Sequence, residues 1–420
     1  MAKNQIISVF YQGIEVGKLG YDEDKRKASF QYHPSFIDDH YKSLFPFVIR
    51  KTKNVQLFDE YAGETFRGLP PMIADSLPDM FGNIVFKEWL EASHREMSSI
   101  SPLEQLTYVG CRGMGALEYM PIKEVGQSAT IDIREITDVV KKVMDVKTSI
   151  QEKGLSDSAL LNIFKIGTSA GGARPKILVS EHKVTGELIP GDRVTSDEYN
   201  HYLIKLDIDE RAHYSKEKIE YIYYQIATEI GIEMMPSKLI DDKHFVTIRF
   251  DRQNGEKQHI LTASGMTGWD FTKPDNSSYD NLFKLAVALK LPHRDIQVLF
   301  KRMVFNVVFA NIDDHLKNFS FIYNPKEDKW NLSPAYDLTY PLDALMNYTR
   351  ISRAMSINGK RTNITIDDLM HIAKEFAIKE AGNIVKEVQN ATVLFRSYSV
   401  EHQIPNKVID VIERAFIRLV

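Results

Sequence analysis

The stretch "RDIQVLFKRMVFNVVFA", residues 294–310, constrains the fold more than any other part of the chain. Ile296, Leu299, Phe300, Met303, Val304, Val307 and Val308 recur at the three- and four-residue steps of a helix and give it a broad apolar face. A helix of that kind has to be buried, so the chain must wrap a core around it. With 420 residues, 43% of them hydrophobic and 26% charged, it has the material to do so. The next segment is opposite in character. "NIDDHLKNFSF", residues 311–321, crowds Asp313, Asp314, His315, Lys317 and Asn318 into a loop at the end of this rigid platform.

The rest of the chain divides by pattern. Length alone suggests two to three domains. "QIISVFYQGIEVGKLGY" carries β-branched and aromatic residues around Gly13 and Gly17, a hairpin signature. Asp79 stands where it would cap the helix after it. A short helix, a glycine-rich turn and a strand are expected in "SPLEQLTYVGCRGMGALEYMP". Residues 130–153 read as an amphipathic helix, with Ile133, Ile136, Val139, Val140, Val143 and Met144 on one face. Strand-like pieces return in "NIFKIGTSAGGARPKILVS", "HYLIKLDID" and "HFVTIRFDR", interrupted by the helix "KEKIEYIYYQIATEIGI". From residue 278 the chain is mostly helical, except for a hairpin around "NPKED". Thr365 and Asp368 are spaced as a capping box. The expected class is α+β, with a β-rich N-terminal unit over 1–125, a strand-rich unit over 126–270 and a helical unit over 271–420. A cleft between a strand-rich and a helix-rich lobe is a common ligand site.

Bulk charge narrows the function. The net charge of −4 shows no basic excess, so a nucleic-acid role would run through a partner. One cysteine, Cys111, cannot build a disulfide framework, which fits a reducing, cytoplasmic home, and it reads as a small semi-buried residue rather than a nucleophile. "MAKNQIISVFYQG" lacks the form of a signal peptide, and no apolar run is long enough to span a membrane.

The polar loop has an informative interval. Asp313 and Asn318 are five positions apart, as are the Asp and Asn of the protein-kinase loop H-R-D-x-x-x-x-N. In that spacing the Asp accepts the proton of an attacking hydroxyl, and the Asn turns back toward a metal ion on the phosphates. Lys317 would neutralise the phosphoryl group in transfer, and His315 would orient the loop. Asp337, in "SPAYDLTYP", leaves the second strand of the hairpin and is placed to join Asn318 in holding Mg²⁺. The alternative is a polar loop held only by its own hydrogen bonds. That alternative leaves Asp314, for which no role is assigned, as simple loop polarity.

Candidates for ATP binding lie earlier in the chain. Lys205 sits in the apolar strand "HYLIKLDID", where a charge needs partners: phosphate oxygens and Glu220, at the start of the next helix. A lysine reaching solvent at a strand edge reads equally well. Ser169, Ala170, Gly171 and Gly172 belong to "GTSAGGARPK", whose glycines would let backbone N–H groups approach phosphates. It matches neither standard phosphate-loop pattern, and a glycine turn is an equal reading. Arg249 and Phe250 of "TIRFDRQNGE" would flank an adenine, or form a strand end before a turn.

Taken together these segments resemble the HipA family of toxin kinases. "SLPDMFGN" and "GCRGMGALEY" are similar to its N-terminal part. "SAGGARPK" is similar to its glycine-rich loop, "LIKLD" to its ATP-lysine strand, "IRFDR" to its hinge, "NIDDHLKNFS" to its catalytic loop and "SPAYDLTYP" to its metal-binding segment. The resemblance implies a protein-kinase-like two-lobed fold and an ATP- and Mg²⁺-dependent serine/threonine kinase. Asp313 would be its base, Asn318 and Asp337 its Mg²⁺ ligands, and Lys205 its α/β-phosphate contact. It implies self-phosphorylation at Ser169, adding roughly −1.5 to −2 charges that ATP would repel, so that the enzyme inactivates itself. A HipB-like DNA-binding antitoxin is implied as partner, with DNA reached only through it, and a translation-related substrate such as an aminoacyl-tRNA synthetase. Two departures stand out: Arg174 and Pro175 replace a different pair before the lysine of the loop, and Asp314 stands where a Gly is common. A small-molecule or lipid phosphotransferase and a non-catalytic binding module are the competing classes.

Overall fold

Alternating apolar residues and one tight turn start the first sheet. β1 (Gln5–Tyr11) and β2 (Ile14–Asp22) join through Gln12 and Gly13, both in the left-handed region at φ 49° and 77°, with Tyr11 opposite Ile14. Two left-handed residues in a two-residue loop match the twist of paired strands. β2 pairs onward with β3 (Lys27–Tyr32), where Leu19 faces Phe30 and both are fully buried. A Cβ at Gly17 would lie 2.4 Å from the Gln31 carbonyl oxygen, so only glycine fits that close approach. β4 (Gln56–Leu57) and β5 (Leu117–Met120) complete the order β4-β3-β2-β1-β5.

The computed structural model describes residues 5–123, 131–145, 174–191, 196–209, 214–341 and 352–419. The chain forms two compact units: residues 1–208, 246–261 and 265–268 make the first, and residues 209–245, 262–264 and 269–420 the second.

The first unit adds helices to its sheet by local capping. Asp79 caps α1 (Met80–Ala92), its Oδ1 accepting from the Gly82 N–H at 2.6 Å, as the sequence suggested. Ser101 caps α2 (Pro102–Val109), with proline at the first helical position. α3 (Ile133–Met144) packs on α1 and buries Ile133, Ile136, Val140 and Val143. The remaining residues of the longer helix expected there, 146–153, lie outside the described residues. β6 (Lys176–His182) then pairs antiparallel with β7 (Leu188–Pro190) and with β8 (Tyr199–Lys205).

The second unit is built on α6 (His293–Val308), the apolar helix of the sequence. All seven residues assigned to its buried face are buried. α4 (Lys216–Glu229) packs on α9 (Thr392–Glu401), while α6 packs on α5 (Tyr279–Ala288) and α8 (Ala381–Asn390). α7 (Ile366–Glu375) opens with the Thr365–Asp368 capping box. β9 (Ser320–Asn324) and β10 (Lys329–Leu332) form the expected hairpin around "NPKED". Strands dominate the described part of the first unit and helices that of the second, so the class is α+β. Among the described residues no helix is long and apolar enough to cross a membrane.

Candidate functional site

The site begins where α6 stops. Phe309 ends the helix, and Ala310 adopts φ 53°, turning the chain out of it. The last carbonyls find new donors: Ile417 N–H for Val308 at 3.0 Å and the Tyr223 hydroxyl for Phe309 at 2.7 Å. Tyr223 is held edge-on by Phe305, Phe309 and Phe395. The loop therefore starts from a fixed point.

Within the loop the bonds converge on Asp313. Its carbonyl accepts from the His315 N–H and from Asn318 Nδ2, both at 2.9 Å. The one side chain spans the five-residue interval read in the sequence. Asp313, His315, Lys317 and Asn318 are half-buried, whereas Asp314 is fully buried. The Asp314 carboxylate accepts from the Tyr279 hydroxyl at 2.8 Å and from Arg353 Nη2 and Nε at 2.9 and 3.2 Å. Burial opposes the Arg353 charge, yet Asp314 holds its pKa above the usual value. Burial, reinforced by Asp314, pushes the Tyr279 phenol well up.

Two further polar groups come from α6 itself, and residue-by-residue reading of the sequence did not single them out. Asn306 donates to the Tyr279 hydroxyl and accepts from Asn311 Nδ2, each at 3.0 Å. Arg302 donates to the Ser333 carbonyl at 2.6 Å, and burial pulls its pKa down to about 10. Their signal was available: two polar side chains one helical turn apart in a helix otherwise apolar enough to be buried.

The hairpin brings the second acid back to the loop. The Ser333 N–H bonds the Ser320 carbonyl at 3.0 Å, and the Tyr336 hydroxyl donates to the Lys317 carbonyl at 2.8 Å. Asp337 comes next at φ 54°, a left-handed conformation that aspartate tolerates better than most residues. Its carbonyl lies 3.4 Å from Asn311 Nδ2. Asn306, Asn311, Asp314, Asn318 and Asp337 line one cavity of about 10 Å³, the room of a single water-sized sphere. The His315 ring packs 5.1 Å from Phe271, and Lys317 Nζ stands 5.2 Å from the same ring centre. Burial lowers the His315 pKa against the opposing pull of Asp313 and Asp337, so the ring is neutral at neutral pH.

The donor set of this cavity suits a hard cation. Asn318 commits its amide nitrogen to Asp313, which leaves its amide oxygen as the acceptor, and Asp337 adds a carboxylate. An amide oxygen and a carboxylate are what Mg²⁺ takes when phosphates and waters fill its other positions, and Arg302 and the arginine-paired Asp314 also stand on the cavity wall.

The other candidates fall in different surroundings. Lys205, in the first unit, is 7% exposed and is the register partner of Lys176, itself 3% exposed. Directly opposed antiparallel residues share a face, so the two buried lysines lie on the same side of the sheet. Asp79 pairs with Lys176, its carboxylate 3.4 Å from Nζ. Arg249, also in the first unit, turns its guanidinium onto Asp251, with Nε and Nη2 bonds of 2.9 and 2.8 Å. Phe250 beside it is buried. Glu220 is a buried residue of α4 in the second unit. Ser169, Ala170, Gly171 and Gly172 lie outside the described residues.

Comparison with known proteins fixes the family. Residues 7–120 match the HipA N-terminal domain, and residues 168–394, more than half of the chain, match the HipA-like C-terminal domain. The chain belongs to the HipA family. A solved structure titled as the HipA, HipB and operator DNA complex of the Shewanella oneidensis MR-1 toxin–antitoxin system superposes with a TM-score of 0.65. It covers 97% of this chain and 95% of that one at 15% identity, which shows a shared HipA fold. The fold is thus α+β of the protein-kinase-like kind expected from the sequence. Two curated relatives carry kinase names. One, "Putative kinase Y4dM" of Sinorhizobium fredii, is 29% identical over 133 residues, 31% of this chain and 32% of that protein. The other, a "Putative kinase" of Haemophilus influenzae, is 26% identical over 208 residues, 44% of this chain and 57% of that protein. The matched stretches thus span about a third and somewhat over half of those relatives' lengths.

Proposed function

We propose that this HipA-family chain is an ATP- and Mg²⁺-dependent serine/threonine protein kinase. One observation carries the reading. The second unit gathers Asn318 and Asp337 around a single cavity, while Asn318 also holds the backbone of Asp313. Asp313 takes the proton of a substrate hydroxyl as that oxygen bonds to the γ-phosphorus, and the bond from phosphorus to the ADP oxygen breaks. Lys317 offsets charge on the group in transfer, and neutral His315 packs the loop against Phe271. A bound Mg²⁺ would neutralise phosphate charge, held by Asn318 and Asp337. In the first unit Lys205, on β8 opposite Lys176 of β6, is proposed to contact the ATP phosphates. Arg249, turned onto Asp251, serves the ATP region by fixing its backbone, with Phe250 alongside. Glu220, a buried acid of α4 in the second unit, is proposed to belong to the ATP-binding residues.

The reading extends to regulation and partners. Ser169 is the proposed self-phosphorylation site, in a loop with Ala170, Gly171 and Gly172. A HipB-like antitoxin is the proposed partner, in keeping with the near-neutral charge of −4. A translation-related protein is the proposed substrate.

The test is intact-mass analysis after incubation with Mg–ATP, with labelled-phosphate transfer scored on protein, lipid and small-molecule acceptors. The expected result is one added phosphate on Ser169 and a rate about 10²- to 10⁴-fold lower in Asp313→Ala. Unchanged phosphorylation in Asp313→Ala sinks the base assignment. Transfer only to lipid or a small molecule replaces the protein-kinase reading with the competing one.

A further inference from the structure

The two adjacent acids of the loop differ in kind. Asp313 is half-buried, and Asp314 is fully buried one residue later. The partners of Asp314 come from far along the chain: Tyr279 from the start of α5, and Arg353 and Met355 from the segment after residue 351. That segment grips the loop at more than one point. The Ala354 N–H bonds the Ile312 carbonyl at 2.8 Å, Arg353 Nη2 reaches the Asn311 carbonyl at 3.3 Å, and the Met355 N–H approaches Asp314 Oδ1 at 3.4 Å. Residues 311, 312 and 314 are thus held by three consecutive residues, 353–355.

The strap is itself anchored. The Ser356 N–H bonds the Ser277 carbonyl at 3.0 Å, and the Tyr279 N–H bonds the Ser356 carbonyl at 2.9 Å. Arg361 Nη2 spans the carbonyls of Pro274 and Ser277, both at 2.9 Å. Asp313 is therefore the reacting neighbour of a residue whose side chain is fixed from three directions.

We infer that Asp314, through its ion pair with Arg353 and its bond from Tyr279, is the positioning residue that sets the direction of the Asp313 carboxylate. The strap 353–355 is the device that carries this constraint. The inference rests on Asp313 being the base, and it adds what holds that base. A carboxylate displaced by about 1 Å loses on the order of 10²-fold in rate. An arginine grips by two nitrogens in a fixed plane, whereas a lysine supplies charge without that plane.

The experiment measures phosphotransfer kinetics and hydrogen exchange on full-length wild type, Arg353→Lys, Arg353→Gln and Tyr279→Phe. Expected for Arg353→Gln is a kcat about 10- to 100-fold lower with the KM for ATP within about twofold. Arg353→Lys should recover part of that loss, and Tyr279→Phe, which keeps the ion pair, should lose about three- to tenfold. Amide exchange of residues 311–318 should rise in the order Tyr279→Phe, Arg353→Lys, Arg353→Gln. If Arg353→Gln fails to fold, the Tyr279→Phe and Arg353→Lys arms decide. Wild-type kcat together with wild-type exchange in the loop overturns the inference. So does a kcat loss that merely tracks the fraction unfolded. A wild type without Asp313-dependent transfer defeats the kinase reading instead, and the exchange arm then still decides whether the strap anchors the loop.

Discussion

Asp251 in the first unit and Asp314 in the second are both fully buried carboxylates paired with arginine, yet they are built differently. Asp251 takes its charge partners from its own neighbourhood: Arg249 by two bonds, and Arg252 through Nη1 at 2.7 Å. Its long-range bonds go to backbone. The Gly115 N–H donates to it at 2.9 Å, while Arg252 reaches the Gly115 and Gly113 carbonyls at 3.1 and 3.0 Å. The two arginines hold the Asp251 pKa well below the carboxylate range although burial raises it. The ion pair and the phenol of Asp314 come instead from distant residues, Arg353 and Tyr279. A locally neutralised acid can fasten one loop to another and serve the stability of its unit. An acid neutralised by distant residues transmits their position to its own neighbour, here Asp313.

The largest expected effect tests the first half of that contrast. Asp251→Ala leaves two guanidinium groups buried without their carboxylate and should cost about 3–5 kcal/mol, read as a lower midpoint in chemical denaturation. A near-neutral result would mean that Asp251 is not what holds residues 113–115 in place. A somewhat smaller effect comes from acid. Burial pushes His201 and His259 down to about 4, with the Arg249 charge adding to the effect on His201. Folded-state pKa values below the ordinary 6.5 mean that the unfolded chain binds the extra protons. Stability is therefore complete above about pH 6.5 and falls progressively toward pH 4, by about 3 kcal/mol for the wholly buried His259. Thermal midpoints across that range check it, and His259→Gln should flatten the slope. The smallest effect is Thr365→Ala, which removes one side of a helix cap from the second unit and should cost about 1 kcal/mol with phosphotransfer unaltered. A large activity loss there would show that the distal helices of that unit bear on the site after all.

The same contrast marks what the sequence makes legible. Features written in short intervals came through: the hairpin around "NPKED", the Asp79 cap, the Thr365 capping box and the apolar face of α6. Asp313 and Asn318 were linked by an interval that one hydrogen bond now spans. Asp314 was not legible because its partners lie 35 and 39 residues away, and a single sequence carries no record of such pairings. Arg302 and Asn306 were overlooked because an apolar pattern draws attention away from the polar residues inside it. The pairing of Arg249 with the carboxylate two residues later is not visible in the motif.

The left-handed backbone of Asp337 has a practical consequence for anyone dissecting this site. Alanine there removes a carboxylate and also forces a Cβ-bearing residue without a polar side chain to keep φ 54°, a cost of about 1 kcal/mol or more. Asparagine tolerates that conformation, and glycine adopts it freely. An alanine scan would charge Asp337 with a backbone penalty in addition to its chemistry. The pair Asp337→Asn and Asp337→Gly separates the two, because the first keeps an oxygen donor and the second keeps only the turn.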